Sequence, residues 1–203
     1  MNDVNDMDDL PNAGYDYYKV DIALFNTFRV LHLGGGHIIR PLKLTQLELE
    51  GKVFYHNSHY DDIKKYLPKL YPDTEEKAHK ILSDILYETM VRRRFLYAIC
   101  MEKENFPFGY ILCSSPLTTF QNSDKEVGEW LIDFWLNQHI HNRGIMTQAL
   151  PFLFDYLAEF KISKIVAFTD KTNFASIKVL KKLGFMQKEV SWNKNFYQFI
   201  KAI

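Results

Sequence analysis

Apolar residues along the chain change their spacing several times, and each change marks an element. Phe28 to Leu33 and His37 to Leu44 read as strands either side of Gly34-Gly35-Gly36, a flexible turn and only a weak phosphate loop. Thr45 to Tyr60, with Leu47, Leu49, Val53 and Phe54, reads as a first helix. A second starts at Asp73 and Glu76, which have capping-box spacing. Ala78, Ile81, Leu82, Ile85 and Leu86 then form a stripe at helical period. Strand-like runs follow at Phe95 to Met101, Phe108 to Ser114 and Trp130 to Leu136, the last reached through a polar loop from Thr118 to Lys125.

Met146, Ala149, Leu150, Leu153, Phe154 and Leu157 give the next helix one apolar face. Pro151 inside it is expected to kink the helix or free the Thr147 carbonyl. Ile165 to Thr169 is a short buried strand. Residues 174–183 form the last helix, with Lys181 and Lys182 in its final turn and Gly184 as its left-handed stop. Strands around Met186 to Ser191 and Phe196 to Ile200 finish the chain, the last expected at a sheet edge where it would pair two copies. A monomer or a homodimer is therefore open. The order mixes strands and helices around one strand–helix–strand unit, residues 128–169, expected as a right-handed parallel crossover.

Composition narrows the class. The chain has 203 residues, enough for a substantial core, and 47% of them are hydrophobic. Lys plus Arg and Asp plus Glu both number 25, so no net field draws in nucleic acid or a membrane. Arg92-Arg93-Arg94 reads as a solvated helix end whose cations suit the dipole. Residues 1–14 hold four aspartates and no Lys or Arg, which predicts a flexible tail before a single domain over 15–203. If Glu102 to Pro107 makes a hairpin turn, Cys113 lies opposite residues near Leu96, so no disulfide with Cys100 is expected. Neither a signal peptide nor a run of ~18 apolar residues is present, and a cytoplasmic protein is expected.

The chemistry concentrates after the aromatic strand. At His141-Asn142-Arg143-Gly144-Ile145-Met146-Thr147, strand gives way to helix around a glycine, leaving outward N–H donors with a helix dipole behind them. Asn173-Phe174-Ala175-Ser176 is a second strand-to-helix turn, stopped by Lys182-Leu183-Gly184-Phe185. Two such turns imply one pocket for a phosphorylated cofactor. Several residues also have blander readings. Asn173 and Ser176 are also a helix cap, and Glu129 and Asp133 are also solvated strand residues. His139 and His141 lack a third ligand nearby, so no metal is expected. His56 and His59 read as surface residues. Trp130, Phe134 and Trp135 read as core and cleft wall.

Phe134-Trp135-Leu136 through Ala149-Leu150 resembles the acetyl-CoA motif of the GNAT acetyltransferases, and is most similar to their RimJ/RimL branch. Asn173-x-x-Ser176-x-x-Val179-Leu180-x-Lys182-Leu183-Gly184-Phe185 matches the branch's second signature, and His37-Ile38-Ile39-Arg40-Pro41-Leu42 looks like its opening strand. The resemblance covers roughly residues 37–191. It implies a mixed α/β GNAT fold: a mostly antiparallel sheet with one parallel crossover and helices on both faces. It also implies acetyl-CoA as co-substrate and an amine acceptor, either a protein N-terminus or a small molecule.

By the same resemblance, backbone of Trp135 and Leu136 would hold the pantetheine arm, and residues His141 to Thr147 the diphosphate. Asn173 would touch the cofactor arm, and Ser176 would protonate the leaving thiolate. Glu129 or Asp133 would be the base, since both alternate onto one strand face. The sequence departs from the pattern at His141, where Arg, Gln or an aromatic is usual, at Met146 in place of Gly or Ala, and at Gln148 in place of an acid. Leu180 stands where many GNAT enzymes have tyrosine, a lack that the RimJ/RimL pattern shares. The competing reading is a catalytically silent acyl-CoA-binding sensor with the same fold.

Overall fold

The computed structural model describes residues 22–120 and 129–203. The expected tail at 1–14 and much of the polar loop at 118–125 lie outside them. Among the described residues eight strands form one sheet: β1 (Leu31–Gly34), β2 (His37–Pro41), β3 (Arg94–Met101), β4 (Pro107–Ser114), β5 (Trp130–Leu136), β6 (Lys164–Asp170), β7 (Met186–Glu189) and β8 (Phe196–Ala202). Their order is β1-β2-β3-β4-β5-β6-β8-β7. Every neighbouring pair is antiparallel except β5 and β6. The helices are α1 (Ile22–Asn26), α2 (Leu47–Ser58), α3 (Asp61–Tyr66), α4 (Glu75–Met90), α5 (Pro116–Phe120), α6 (Ile145–Ala158) and α7 (Phe174–Lys182).

Alternation along the strands sorts the sheet into two cores. Ile39, Tyr97, Ile99, Ile111, Cys113, Trp130 and Ile132 point to the face covered by α1 and α6. Ile38, Leu96, Ala98, Tyr110, Leu112 and Trp135 point to the face covered by α2 and α4. Helices on both faces therefore follow from period two in the strands and period 3.6 in the helices. The stretch before β1 belongs to the first core. Leu24 is fully buried, Phe25 and Phe28 pack against Phe95, and the hydroxyls of Tyr156 and Tyr97 donate to the Thr27 and Arg29 carbonyls.

Several local expectations shift. The first helix holds as α2, ending at Ser58, and α3 is a separate element that the sequence pattern missed. Thr74, not Asp73, caps α4, its hydroxyl accepting from the Lys77 N–H. The α6 helix continues through Pro151, which has no N–H to give the Thr147 carbonyl, as expected of a proline at that place. Strand β8 is interior, between β6 and β7, so the edge pairing expected of Phe196 to Ile200 is precluded; the edges are β1 and β7. Cys113 sits opposite Phe95, and both cysteines are free and buried. Desolvation pushes the Cys100 thiol up to about 11 and the Cys113 thiol higher still, so both stay protonated and inert near neutrality. No helix of the described residues is long and apolar enough to cross a membrane.

Gln148, where an acid was the family's usual choice, has a local reason. Its side-chain amide donates to the Leu33 carbonyl at 2.8 Å, tying α6 to the β1–β2 hairpin. A carboxylate there would set one acceptor against another. Gln148→Glu is expected to cost about 1 kcal/mol of stability, read as a lower urea midpoint at pH 8.

Candidate active site

The strands β5 and β6 pair only at Trp130–Ile165 and Leu131–Val166, then diverge. Register shows what faces the gap. The Asn137 N–H donates to Phe108, which makes Leu136–Gly109 a non-bonded pair of the β4–β5 ladder. Phe134 and Leu136 consequently turn their peptide groups toward β6. Likewise the Lys171 N–H donates to Asn195, so Phe168 and Asp170 turn theirs toward β5. Backbone edges therefore confront one another across the gap without forming a ladder there. Trp135 differs from the expectation: its peptide groups belong to the β4 ladder, opposite Tyr110, and its indole Nε1 donates to Ser58 Oγ at 2.9 Å.

The gap opens into a cleft of about 560 Å3. One end is the turn before α6. Asn142 (φ 63°) and Gly144 (φ 76°) are left-handed, and a Cβ added at Gly144 would meet nothing within 4 Å. The Gln148 N–H bonds to the Gly144 carbonyl, but among the described residues nothing accepts from the N–H groups of residues 142–147. These donors converge on a helix N-terminus, an arrangement suited to phosphate oxygens. His141 is different, because its N–H is engaged by the Gln138 carbonyl. Its ring Nε2 lies 3.0 Å from the Leu136 carbonyl. A carbonyl only accepts, so Nε2 carries the proton.

The second turn sits across the cleft. Asn173 caps α7, its Oδ1 accepting from the Ser176 N–H at 3.1 Å, and both residues line the cleft. The capping reading and the site reading thus coincide. No group among the described residues bonds the Ser176 hydroxyl. Hydrogen bonds from the Thr172 hydroxyl and N–H hold Asp170 below the usual carboxylate range.

Of the two carboxylates expected as base, Asp133 lines the cleft. Glu129 does not; it pairs with Lys164 beyond the start of β5. Ile145, Met146 and Thr147 also line the cleft, whereas the Arg143 side chain is exposed and does not. Sequence reasoning missed the opposite wall, Asp62, Ile63, Tyr66 and Leu67 of the α3 region, for which a six-residue helix gave no periodic signal. The Tyr66 hydroxyl donates to the Thr172 carbonyl at 3.1 Å, joining that wall to the β6–α7 turn.

A sheet that splays at one parallel pair beside a helix N-terminus with unpaired amides defines an acyl-CoA-dependent acyltransferase. The profile of the Acetyltransferase (GNAT) domain matches residues 38–186, and the chain belongs to that family. It is an N-acetyltransferase with acetyl-CoA as co-substrate. No curated protein sequence matches it. Solved structures are similar in fold. A RimL, the ribosomal L7/L12 α-N-protein acetyltransferase in complex with coenzyme A, aligns at TM-score 0.67 and 15% identity over 86% of this chain and 98% of that one. The Vibrio fischeri ribosomal-protein-S5-alanine acetyltransferase gives 0.63 and 16%, over 86% and 96%. Mycobacterium smegmatis RimJ with a CoA disulfide gives 0.59 and 17%, over 86% and 85%.

Proposed function

We propose that the acceptor is the free α-amino group of a protein N-terminus, a ribosomal protein being the leading class, and that the reaction takes place in the cytoplasm. The observation that carries the cofactor half is the run of amides from Asn142 to Thr147, unpaired among the described residues, at the mouth of the β5–β6 gap. Support for the acceptor comes from proteins of similar fold: a Salmonella typhimurium acetyltransferase modifies the N-terminal serine of the 50S ribosomal subunit protein L7/L12, and the Vibrio fischeri protein is a ribosomal-protein-S5-alanine acetyltransferase.

In this reading the diphosphate lies on the 142–147 turn, and the pantetheine arm runs into the gap between the facing edges of β5 and β6. The thioester carbonyl then approaches the Leu136 N–H, which steadies the oxyanion as the amine attacks. Ser176, with its hydroxyl uncommitted, protonates the departing thiolate. Asp133 contributes negative charge that draws the ammonium form of the acceptor. Ser176→Ala is expected to slow kcat ten- to a hundredfold, roughly the lower end of what a positioned proton donor contributes, while acetyl-CoA affinity changes less than about threefold. Equal turnover would remove Ser176 from the chemistry.

The defining assay is thiol release from acetyl-CoA with short peptides carrying N-terminal serine or alanine, against spermidine and free amino acids. Faster turnover on the peptides supports the proposal. The silent sensor draws on one observation: Leu180, where many GNAT enzymes carry tyrosine although the RimJ/RimL pattern does not, is fully buried in the core and offers no hydroxyl to the cleft. Thermal stabilisation by CoA without turnover on any amine would select that reading.

A further inference from the structure

A second cleft, about 520 Å3, opens between the α2–α3 junction and the β5–α6 loop. Its lining is His59, Tyr60, Asp61, Asp62, Tyr71, Gln138 and His141. Two of these, Asp62 and His141, also line the cofactor cleft, so the two spaces meet there. The second space suits a cation and not a phosphate: no Lys or Arg lines it, and Asp61 and Asp62 do. The Tyr66–Thr172 hydrogen bond spans the opposite approach, between α3 and the β6–α7 turn.

His141 stands at the junction with its tautomer fixed. Nε2–H is held by the Leu136 carbonyl, so the lone pair on Nδ1 remains to accept a proton. That same bond orients the ring and would steady it when it becomes charged, as an acceptor partner does for any imidazole base. Leu136 also turns its own peptide into the gap where the thioester would lie. The alternatives are less well placed. His59 donates through Nδ1 to Pro72, stacks on Tyr71, and lines the second cleft alone. The Asp62 carboxylate accepts from the Ile63 N–H of its own helix.

We propose that the amine acceptor enters through this second cleft, past Asp61 and Asp62, and that His141 is the base that takes its proton. The step rests on the acetyl-transfer reading given above. An ammonium R–NH3+ gives one proton to His141 Nδ1, and the free amine attacks the thioester carbon. The C–N bond forms, the C–S bond breaks, and the second nitrogen proton leaves with the thiolate as CoA thiol. The imidazolium then returns its proton to water. The products are the amide, CoA thiol and one released proton.

The titratable groups that line the clefts with His141 are Asp61, Asp62, His59, Tyr60 and Tyr71 in the second cleft, with the Lys64 ammonium over the Tyr71 ring. In the cofactor cleft they are Asp133 and Asp170 from the strands, Tyr66 from α3, and Lys178 and Lys182 from α7. An acid limb of the pH–rate profile that survives in His141→Gln would belong to one of them.

The experiment measures thiol release by the full chain with acetyl-CoA and peptides bearing N-terminal serine or alanine, from pH 5 to 10. His141→Gln is expected to lower kcat about 100-fold near neutrality, within the range of general-base losses, with the acetyl-CoA KM within threefold. The loss should shrink as pH rises and the amine arrives unprotonated, and imidazole in solution should partly restore His141→Ala. A kcat within threefold of the parent, or a raised acetyl-CoA KM with kcat intact, would overturn the role. Asp61→Asn/Asp62→Asn tests the path independently: the peptide KM should rise about fivefold with the acetyl-CoA KM unchanged, and an unchanged peptide KM would overturn the route. A parent enzyme that turns over beside an unaffected His141→Gln sinks this inference alone; a parent inert on every amine sinks the transferase reading with it.

Discussion

Gly144→Pro is expected to leave acetyl-CoA unbound at millimolar concentration by calorimetry, with the protein still folded by circular dichroism. Proline fixes φ near −65°, whereas Gly144 sits at +76° in the turn before α6. The substitution forces the turn open, removes one donor, and fills the empty space over the amides that the glycine now leaves clear. Losing one charge-assisted hydrogen bond is worth roughly 1.5–3 kcal/mol, and misplacing its neighbours adds to that. A total near 4 kcal/mol would be about a thousandfold in affinity. Gly144→Ala should fall between: it keeps the donor but strains a left-handed residue by about 1–2 kcal/mol. Affinity unchanged in the proline variant would mean that the diphosphate rests elsewhere.

Glu50→Ala is expected to have the largest effect on stability, about 3–5 kcal/mol in urea unfolding. Arg40 and Glu50 are 4% exposed each, and their side chains meet at 2.7 Å beneath α2. Three more guanidinium N–H groups go to Asn105 Oδ1, the Asn105 carbonyl and the Pro41 carbonyl, so Arg40 pins β2, the β3–β4 hairpin and α2 together. Removing the glutamate strands a buried cation that water reaches poorly. The double variant Arg40→Met/Glu50→Leu should lose much less, because it removes both charges. A Glu50→Ala protein within 1 kcal/mol of the parent would show that water enters under α2.

Both predictions bear on what could be read before the fold was known. The Gly144 turn was legible because its geometry depends on a glycine followed by a helical stripe, a strictly local pattern. The two sheet faces were legible for the same reason. Helix α3 was not: six residues carry less than two turns of period, and Ile63 alone of them is buried. The position of β8 was not legible either, since strand order depends on pairing between distant segments and leaves no trace in alternation. Glu129 and Asp133 share a strand parity, yet only tertiary packing brings Lys164 to Glu129 and leaves Asp133 in the cleft. Register keeps Leu136 among the gap-facing peptides but replaces Trp135 with Phe134, a one-residue distinction that no composition argument could draw.

The pleat of β5 interleaves two kinds of contact along one strand. Phe134 and Leu136 direct side chains to the α6 face, while Asp133 and Trp135 direct theirs to the α2 face. Descendants of this gene could retune acceptor preference at the odd positions by substitution while leaving the even ones alone. A single codon gained or lost within the strand would instead exchange both sets at once, so such indels should be purged here while point changes accumulate.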